Sequence, residues 1–214
     1  MKKPHDLQGC RLYGILDTGY LMGRDPAQVA TWMMEGGVDI LQLRAKDLLA
    51  DAIRRMAVEV HAVTRPAGVP LILNDHPQIA AEVGVEGVHV GQEDVSVTEA
   101  RRMMGEGKWV GKSTHSLDQA LAAVEEKADY IGVGPVFSTP TKPAYVPVGL
   151  GLVREVATRV RIPFFCIGGI KLENMTVVLA AGADRLVVVS GILQAPDITG
   201  YCRELKKSLV STSA

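Results

Sequence analysis

The sequence predicts an α/β fold, a single (β/α)8 TIM barrel. Apolar runs of strand length alternate with longer amphipathic stretches, eight times over, with no low-complexity linker between units. Polar residues gather just past the carboxyl ends of those runs, the face on which barrel enzymes build their sites. The competing architecture, an open doubly wound sheet, usually carries a glycine-rich dinucleotide fingerprint after its first strand. Here that position reads Asp17-Thr-Gly-Tyr20, which is not one.

Candidate strands run from Arg11 to Leu16, Val38 to Leu43, Pro70 to Leu73, Gly87 to Val90, Lys108 to Val110, Ala128 to Val133, Pro163 to Ile167 and Arg185 to Val189. Each is a short apolar run, too brief for a helix and bounded by turn residues or polar groups. Helical stretches between them include Pro26 to Glu35, Leu49 to Val63, Thr98 to Met104, Leu117 to Glu126, Leu150 to Val160 and Leu172 to Ala181. Asp25 before Pro26, and Ser116 three residues before Gln119, are ordinary helix-start signals. At 214 residues the chain is at the short end for this fold. The barrel is therefore expected over residues 11–214 without inserted domains, after an extension, residues 1–10, with no recognisable role.

Composition narrows the partners. A net charge of −1 and a pI near 6.5 give no basic field for nucleic acid and no polybasic signal for a membrane surface. No apolar run approaches spanning length, and Pro4, His5, Asp6 and Gln8 stand where a signal peptide needs an apolar core. A small molecule is the default partner. Cys10, Cys166 and Cys202 are odd in number and widely spaced, which suits a reducing cytoplasm better than a disulfide framework or a zinc site. Whether the chain forms a homo-oligomer is left open.

Strand parity then separates wall from interior. Leu41 and Leu43 are expected to face the helices, and Gln42 and Arg44 to face inward. Arg44, Lys46 and Lys142 bring three cations to one mouth. Long basic side chains often simply reach water, but an inward guanidinium is costly without an anion. Asp75 and Asp94 follow neighbouring strands, whose axes lie about 4.8 Å apart. Their carboxylates are placed to converge on one hard cation such as Mg²⁺, which takes one or two protein carboxylates plus phosphate oxygens and water. Helix capping for Asp75 and a turn role for Asp94 are the plainer alternatives.

Beyond strand six, Ser138, Thr139, Thr141 and Lys142 offer three hydroxyls and an ammonium, donors suited to phosphate oxygens or to an ordinary polar turn. Gly168-Gly169 after strand seven and Ser190-Gly191 after strand eight mark the loops with which barrels often hold phosphate. The site is thus expected to hold two anion grips, one on strands seven and eight and one near the acidic pair. His89 reads as a hydrogen-bonded interior residue, His5 and His61 as exposed, and His76 and His115 as flanking the site. Met33, Met34, Met103 and Met104 read as core filler. No Ser-His-Asp order or HExxH spacing is present.

These segments, in order, resemble the thiamine phosphate synthase (thiamine-phosphate pyrophosphorylase) family. The likeness is carried by Leu41-Gln-Leu-Arg-Ala-Lys46, Leu73-Asn-Asp-His76, Gly87-Val-His-Val-Gly-Gln-Glu-Asp94, Ser113-Thr-His-Ser116, Gly134 to Lys142, Ile167-Gly-Gly-Ile170 and Val189-Ser190, and it covers Arg11 to Ile192. The resemblance implies that Gln42, Arg44, Lys46, Asn74 and Lys142 hold an aminopyrimidine diphosphate, with Ser113 against the same substrate. It implies Mg²⁺ on Asp75 and Asp94, and a thiazole phosphate held by Thr139, Thr141, Gly169, Val189 and Ser190. The implied reaction joins hydroxymethylpyrimidine diphosphate to hydroxyethylthiazole phosphate, or its carboxylated form with loss of CO2, giving thiamine phosphate and pyrophosphate. Arg44, Lys46, Ser113 and Lys142 are the implied catalytic groups.

Two departures stand out. Pro143-Ala-Tyr145 follows Lys142 where the family usually continues with polar residues, and Lys112 precedes Ser113 where a small or apolar residue is expected. Lys112 is either a further cation or a residue outside the mouth. Thiazole tautomerase, an isomerase on the same barrel, is the nearest rival, and a non-catalytic thiamine-phosphate sensor is the rival from another class. Joint retention of Arg44, Lys46, Asn74, Asp75, Asp94 and Lys142 favours the synthase.

Overall fold

The computed structural model describes residues 7–139 and 145–211. Its eight parallel strands close in sequence order into a barrel: β1 (Leu12–Asp17), β2 (Ile40–Arg44), β3 (Leu71–Asn74), β4 (Gly87–Val90), β5 (Trp109–Thr114), β6 (Tyr130–Val133), β7 (Phe164–Cys166) and β8 (Leu186–Val188). The helices are α1 (Pro26–Glu35), α2 (Ala50–Thr64), α3 (Pro77–Val83), α4 (Val97–Met104), α5 (Leu117–Glu125), α6 (Gly149–Arg159), α7 (Met175–Ala180), the single turn α8 (Ser190–Leu193) and α9 (Ile198–Ser211). Asp25 and Ser116 cap α1 and α5 as expected, accepting from the N–H groups of Gln28 and Gln119. Among the described residues no helix is long and apolar enough to cross a membrane.

The strand ends move both ways: β7 and β8 stop one residue short of Ile167 and Val189, while others run past the expected limit. β2 and β3 extend to include Arg44 and Asn74, and β5 runs on through Ser113 and Thr114. Polar ends conceal strand from a search for apolar runs, although parallel pairing continues through Lys112↔Ile131, Ser113↔Gly132 and Thr114↔Val133. Three helices escape the same search. α3 and α8 are short, and α9 follows the last strand, where the alternation no longer announces it.

Strand parity sorts the side chains into two cores. The outward set packs under the helices and includes Leu41, Leu43, Val88 and Val110, with the thioether of Met33 against Gly14. Met33 and Met104 are buried there, while Met34 and Met103 are partly covered. The inward set is smaller: Tyr13, Ile15, Ile40, Ile72, Trp109, Tyr130, Phe165 and Val187 fill the barrel, joined from below by Leu7 and Cys10. Residues before Arg11 therefore have a role that sequence alone conceals. The 3₁₀ turn Leu7–Gly9 lays Leu7 and Cys10 over the amino-terminal end of the barrel, and Arg185 ties it down through the Gln8 carbonyl at 3.2 Å.

Asp39 stitches the same end, accepting from the N–H groups of Arg11 and Leu12 at 2.9 Å each and pairing with Lys206 of α9. His61 is buried rather than exposed, because Glu86 between α3 and β4 takes its Nε2 at 3.2 Å. The other Glu86 oxygen accepts from the Leu71 N–H at 2.9 Å. An isolated His on an amphipathic helix gives no hint of such a partner.

Gly111 keeps the interior open for two side chains. A Cβ there would overlap the Tyr130 ring and lie 2.6 Å from His89 Nδ1. Gly111→Ala should destabilise the protein by about 1–3 kcal/mol, the usual cost of overfilling a packed interior. Equilibrium urea unfolding checks this, and an unchanged midpoint would show that the two rings shift without cost.

Candidate functional site

The carboxyl ends of the strands surround one cavity. β2 contributes Gln42 and Arg44, with Lys46 two residues on. Arg44 does not lack an anion as parity alone suggested: its Nη1 pairs with Asp17 Oδ2 at 2.5 Å. Asp17 ends β1 and is itself fixed, since its Oδ1 accepts from the Gly19 N–H at 3.0 Å. The other guanidinium nitrogens donate to none of the described residues, so Arg44 remains a donor toward the cavity with its charge already balanced.

β3 and β4 bring the acids together. Asp75 has φ 66°, a left-handed conformation that Asp tolerates better than most residues, and its N–H donates to the His89 carbonyl at 2.9 Å. It caps no helix, because His76 occupies the N-cap position of α3 and makes no side-chain cap bond. Lys46 Nζ reaches Asp75 Oδ2 at 3.0 Å. Asp94 does take a turn role, its Oδ2 accepting from the Gly91 N–H at 2.7 Å, and it still meets the Asp75 carboxylate.

The two acids are driven apart electrostatically. Burial, and then the Asp94 carboxylate, raise the Asp75 pKa above its ordinary 3.8 despite Lys46. Burial pushes Asp94 the same way but is outweighed by the Gly91 N–H, Asp75, Lys46 and Lys112, which hold Asp94 low. Two carboxylates in contact, one reluctant to ionise, suit a hard divalent cation, whose charge would relieve both. Among the described residues no group of three or more His, Cys, Asp or Glu side chains gathers for a metal. A cation on this pair would draw its remaining ligands from substrate and water.

On β5, Ser113 faces the cavity and Thr114 faces out, where its hydroxyl donates to the Gly132 carbonyl at 3.0 Å. Thr114, although polar and at a strand's carboxyl end, is therefore not part of the cavity lining. Lys112 shares its outward parity and is buried, its Nζ donating to the Gly91 carbonyl at 2.8 Å. It is neither a mouth cation nor a solvated one: it braces the loop that carries Asp94. His115 lines the cavity, its Nδ1 2.5 Å from the Gly134 carbonyl and its ring 4.9 Å from that of Tyr145.

The remaining wall comes from Thr139, Gly169, Val189 and Ser190, with Asn74 across the cavity from β3. Gly168 and Gly169, at φ 101° and 65°, are required by crowding as much as by any ligand. A Cβ on Gly168 would strike Pro135, and one on Gly169 would lie 2.6 Å from the Ser138 carbonyl and 2.8 Å from Phe137 Cβ. Thr141 and Lys142 lie outside the described residues. Every other residue given a role by the resemblance lines this cavity, whereas Ser138, Gly191 and His76, also expected about the mouth, do not. Tyr13, Tyr130, Phe165 and Asp17 were not anticipated, whereas His115 was expected to flank the site and lines it. Parity in β1, β6 and β7 points the first three inward, but aromatic residues in apolar runs read as core.

Residues 12–192 match the family described as thiamine monophosphate synthase. A thiamine-phosphate synthase of Chloroflexus aurantiacus is 44% identical over 204 residues, covering 95% of this chain and 94% of that one. One from Thermus thermophilus is 47% identical over 177 residues, covering 82% of this chain and 85% of its own. The solved structure of a thiamine phosphate pyrophosphorylase from Pyrococcus furiosus superposes with a TM-score of 0.86 at 28% identity, covering 95% of this chain and 97% of that one.

The raised Asp75 pKa has a stability consequence with a definite sign. The folded, metal-free protein binds this proton more tightly than the unfolded chain does, so ionised Asp75 costs stability above its folded pKa. The cost fades as pH falls through that value toward 3.8 and below. Asp75→Asn should therefore raise the melting temperature in EDTA near neutral pH, with the gain shrinking on acidification. Melting curves across pH check it; a lower melting temperature for the variant would show that the Lys46 pair outweighs the acid–acid repulsion.

Proposed function

The chain belongs to the thiamine monophosphate synthase family, and we propose that it joins an aminopyrimidine methyl diphosphate to a hydroxyethylthiazole phosphate, releasing pyrophosphate. The observation that carries this reading is the convergence of the Asp75–Asp94 pair, Lys46 and the open side of Arg44 on one wall of a single cavity. Thr139, Gly169 and Ser190 stand on the remaining wall. Two anion grips at one mouth fit a reaction that takes one diphosphate and one monophosphate. The tautomerase and sensor alternatives need no such paired grip, and the relatives named above are synthases.

In the proposed chemistry Gln42, Asn74 and Ser113 orient the aminopyrimidine, and Arg44, Lys46 and Lys142 hold the diphosphate. Asp75 and Asp94 would hold Mg²⁺, which when bound neutralises negative charge on the departing pyrophosphate as a Lewis acid. Bond breaking comes first. The amino group of the pyrimidine stabilises a benzylic-type cation, so the protein need only receive the charge that develops on the leaving oxygens. Arg44 is prepared for this by Asp17, which fixes the guanidinium before substrate arrives. Thr139, Thr141, Gly169, Val189 and Ser190 hold the thiazole phosphate so that the ring nitrogen captures the cation, a step that asks only for positioning. No protein nucleophile takes part. The carboxylated thiazole is an acceptable second substrate on the same scheme, with CO2 leaving after capture. Three buried cysteine thiols suit a reducing cytoplasm, and burial pushes the Cys166 and Cys202 thiols up to about 12, away from reactivity.

Incubation with both phosphorylated substrates and Mg²⁺ should yield pyrophosphate and thiamine phosphate in equal amounts. Full turnover in EDTA would overturn the metal-assisted scheme. Lys142→Ala should lower kcat by about 10²- to 10³-fold, the scale of losing one preorganised transition-state donor. A steady-state assay with an unchanged kcat would remove Lys142 from catalysis.

A further inference from the structure

A line of hydrogen bonds crosses the barrel beneath the cavity. Gln42 Nε2 donates to Tyr13 Oη at 2.8 Å, and Tyr13 Oη lies 3.0 Å from Tyr130 Oη. Tyr130 Oη is 3.2 Å from His89 Nδ1, and His89 Nε2 is 2.9 Å from Ser113 Oγ. Both phenols are buried, and burial raises their pKa values well above the ordinary 10.0, so each keeps its one hydrogen.

One hydrogen per phenol makes the line directional. An amide nitrogen can only donate, so Tyr13 Oη accepts from Gln42, and the arrangement that leaves neither buried phenol hydrogen without an acceptor sends the Tyr13 hydrogen to Tyr130 and the Tyr130 hydrogen to His89 Nδ1. Nδ1 is then the acceptor of a neutral ring, and the ring proton resides on Nε2 and is donated to Ser113 Oγ. The Ser113 hydroxyl hydrogen is thereby left for the cavity. At the other end Gln42 Oε1 accepts from none of the described residues and belongs to the cavity lining.

We infer that Tyr13, Tyr130 and His89 are positioning residues whose hydrogen bonds run one way, from Gln42 to Ser113, and present an acceptor at Gln42 and a donor at Ser113 to the bound heterocycle. This rests on the site reading above and deepens it. A ring bearing an amino N–H together with a ring-nitrogen lone pair matches that pair; the same ring with an oxo group in place of the amino group meets an acceptor with an acceptor. Selection of the amino form then follows from the barrel interior as well as from the residues that touch the ring.

The direction can be read without substrate. In the ¹⁵N NMR spectrum of the free protein, His89, assigned by its disappearance in His89→Gln, should show one tautomer with the proton on Nε2. Tyr130→Phe removes the hydrogen that Nδ1 accepts, so the ring should populate both tautomers. Tyr13→Phe leaves the Tyr130–His89 bond in place, and the single tautomer should persist. In steady-state assays each variant should raise KM for the pyrimidine diphosphate about tenfold, the scale of one hydrogen bond, and leave KM for the thiazole phosphate unchanged. An Nδ1–H tautomer in the unmodified protein overturns the inferred direction. Expected spectra with both KM values unchanged overturn the positioning role. Should the protein form no thiamine phosphate at all, the function reading fails, and the tautomer still decides the direction.

Discussion

A polar side chain that points into a closed eight-stranded barrel has only the other inward side chains to bond with. The backbone is fully engaged in the ladders and the helices cover the outside. That restriction governs what each level of the interior can hold. Low in the barrel, Ile40, Ile72, Trp109 and Val187 need no partner. Higher up, Gln42, Tyr13, Tyr130, His89 and Ser113 satisfy one another in sequence, and the line ends at the cavity because only there can a ligand complete it.

The charged groups at the mouth follow a different economy. Asp17 balances Arg44 inside the protein, so that guanidinium is rigid and nearly neutral as a pair. Asp75 and Asp94 repel each other and share the half-exposed Lys46. One pair is complete and the other is not. A structure selected only for stability would not keep the second, and strain of this kind collects where a ligand is meant to arrive.

Much of this was legible from residue order, for identifiable reasons. Strand parity placed Gln42 and Arg44 inward because alternation survives whatever the neighbours are. Asn74, Asp75, Asp94 and Ser113 were legible because polar residues ending apolar runs have one face to occupy. Other features depended on contacts between distant segments. Nothing near Arg44 in sequence names Asp17, nothing near His61 names Glu86, and nothing near Lys112 names the Gly91 carbonyl. Tyr13 and Tyr130 were hidden differently: an aromatic residue in a strand reads as filler until its hydroxyl is seen to have a partner. Strand ends were misjudged where polar residues interrupt the apolar run, as along Lys112-Ser-Thr114.

The turn that lays Leu7 and Cys10 across the foot of the barrel has one more effect. With Leu7 and Cys10 packed into that end, the cavity lies among the described residues at the opposite, carboxyl end of the strands. On the proposed scheme both reactants would come by that face, and the one resting against Gln42 and Ser113 would be seated first and depart last. Traffic on that scheme would be ordered by packing at the opposite end of the molecule from the bonds being made and broken.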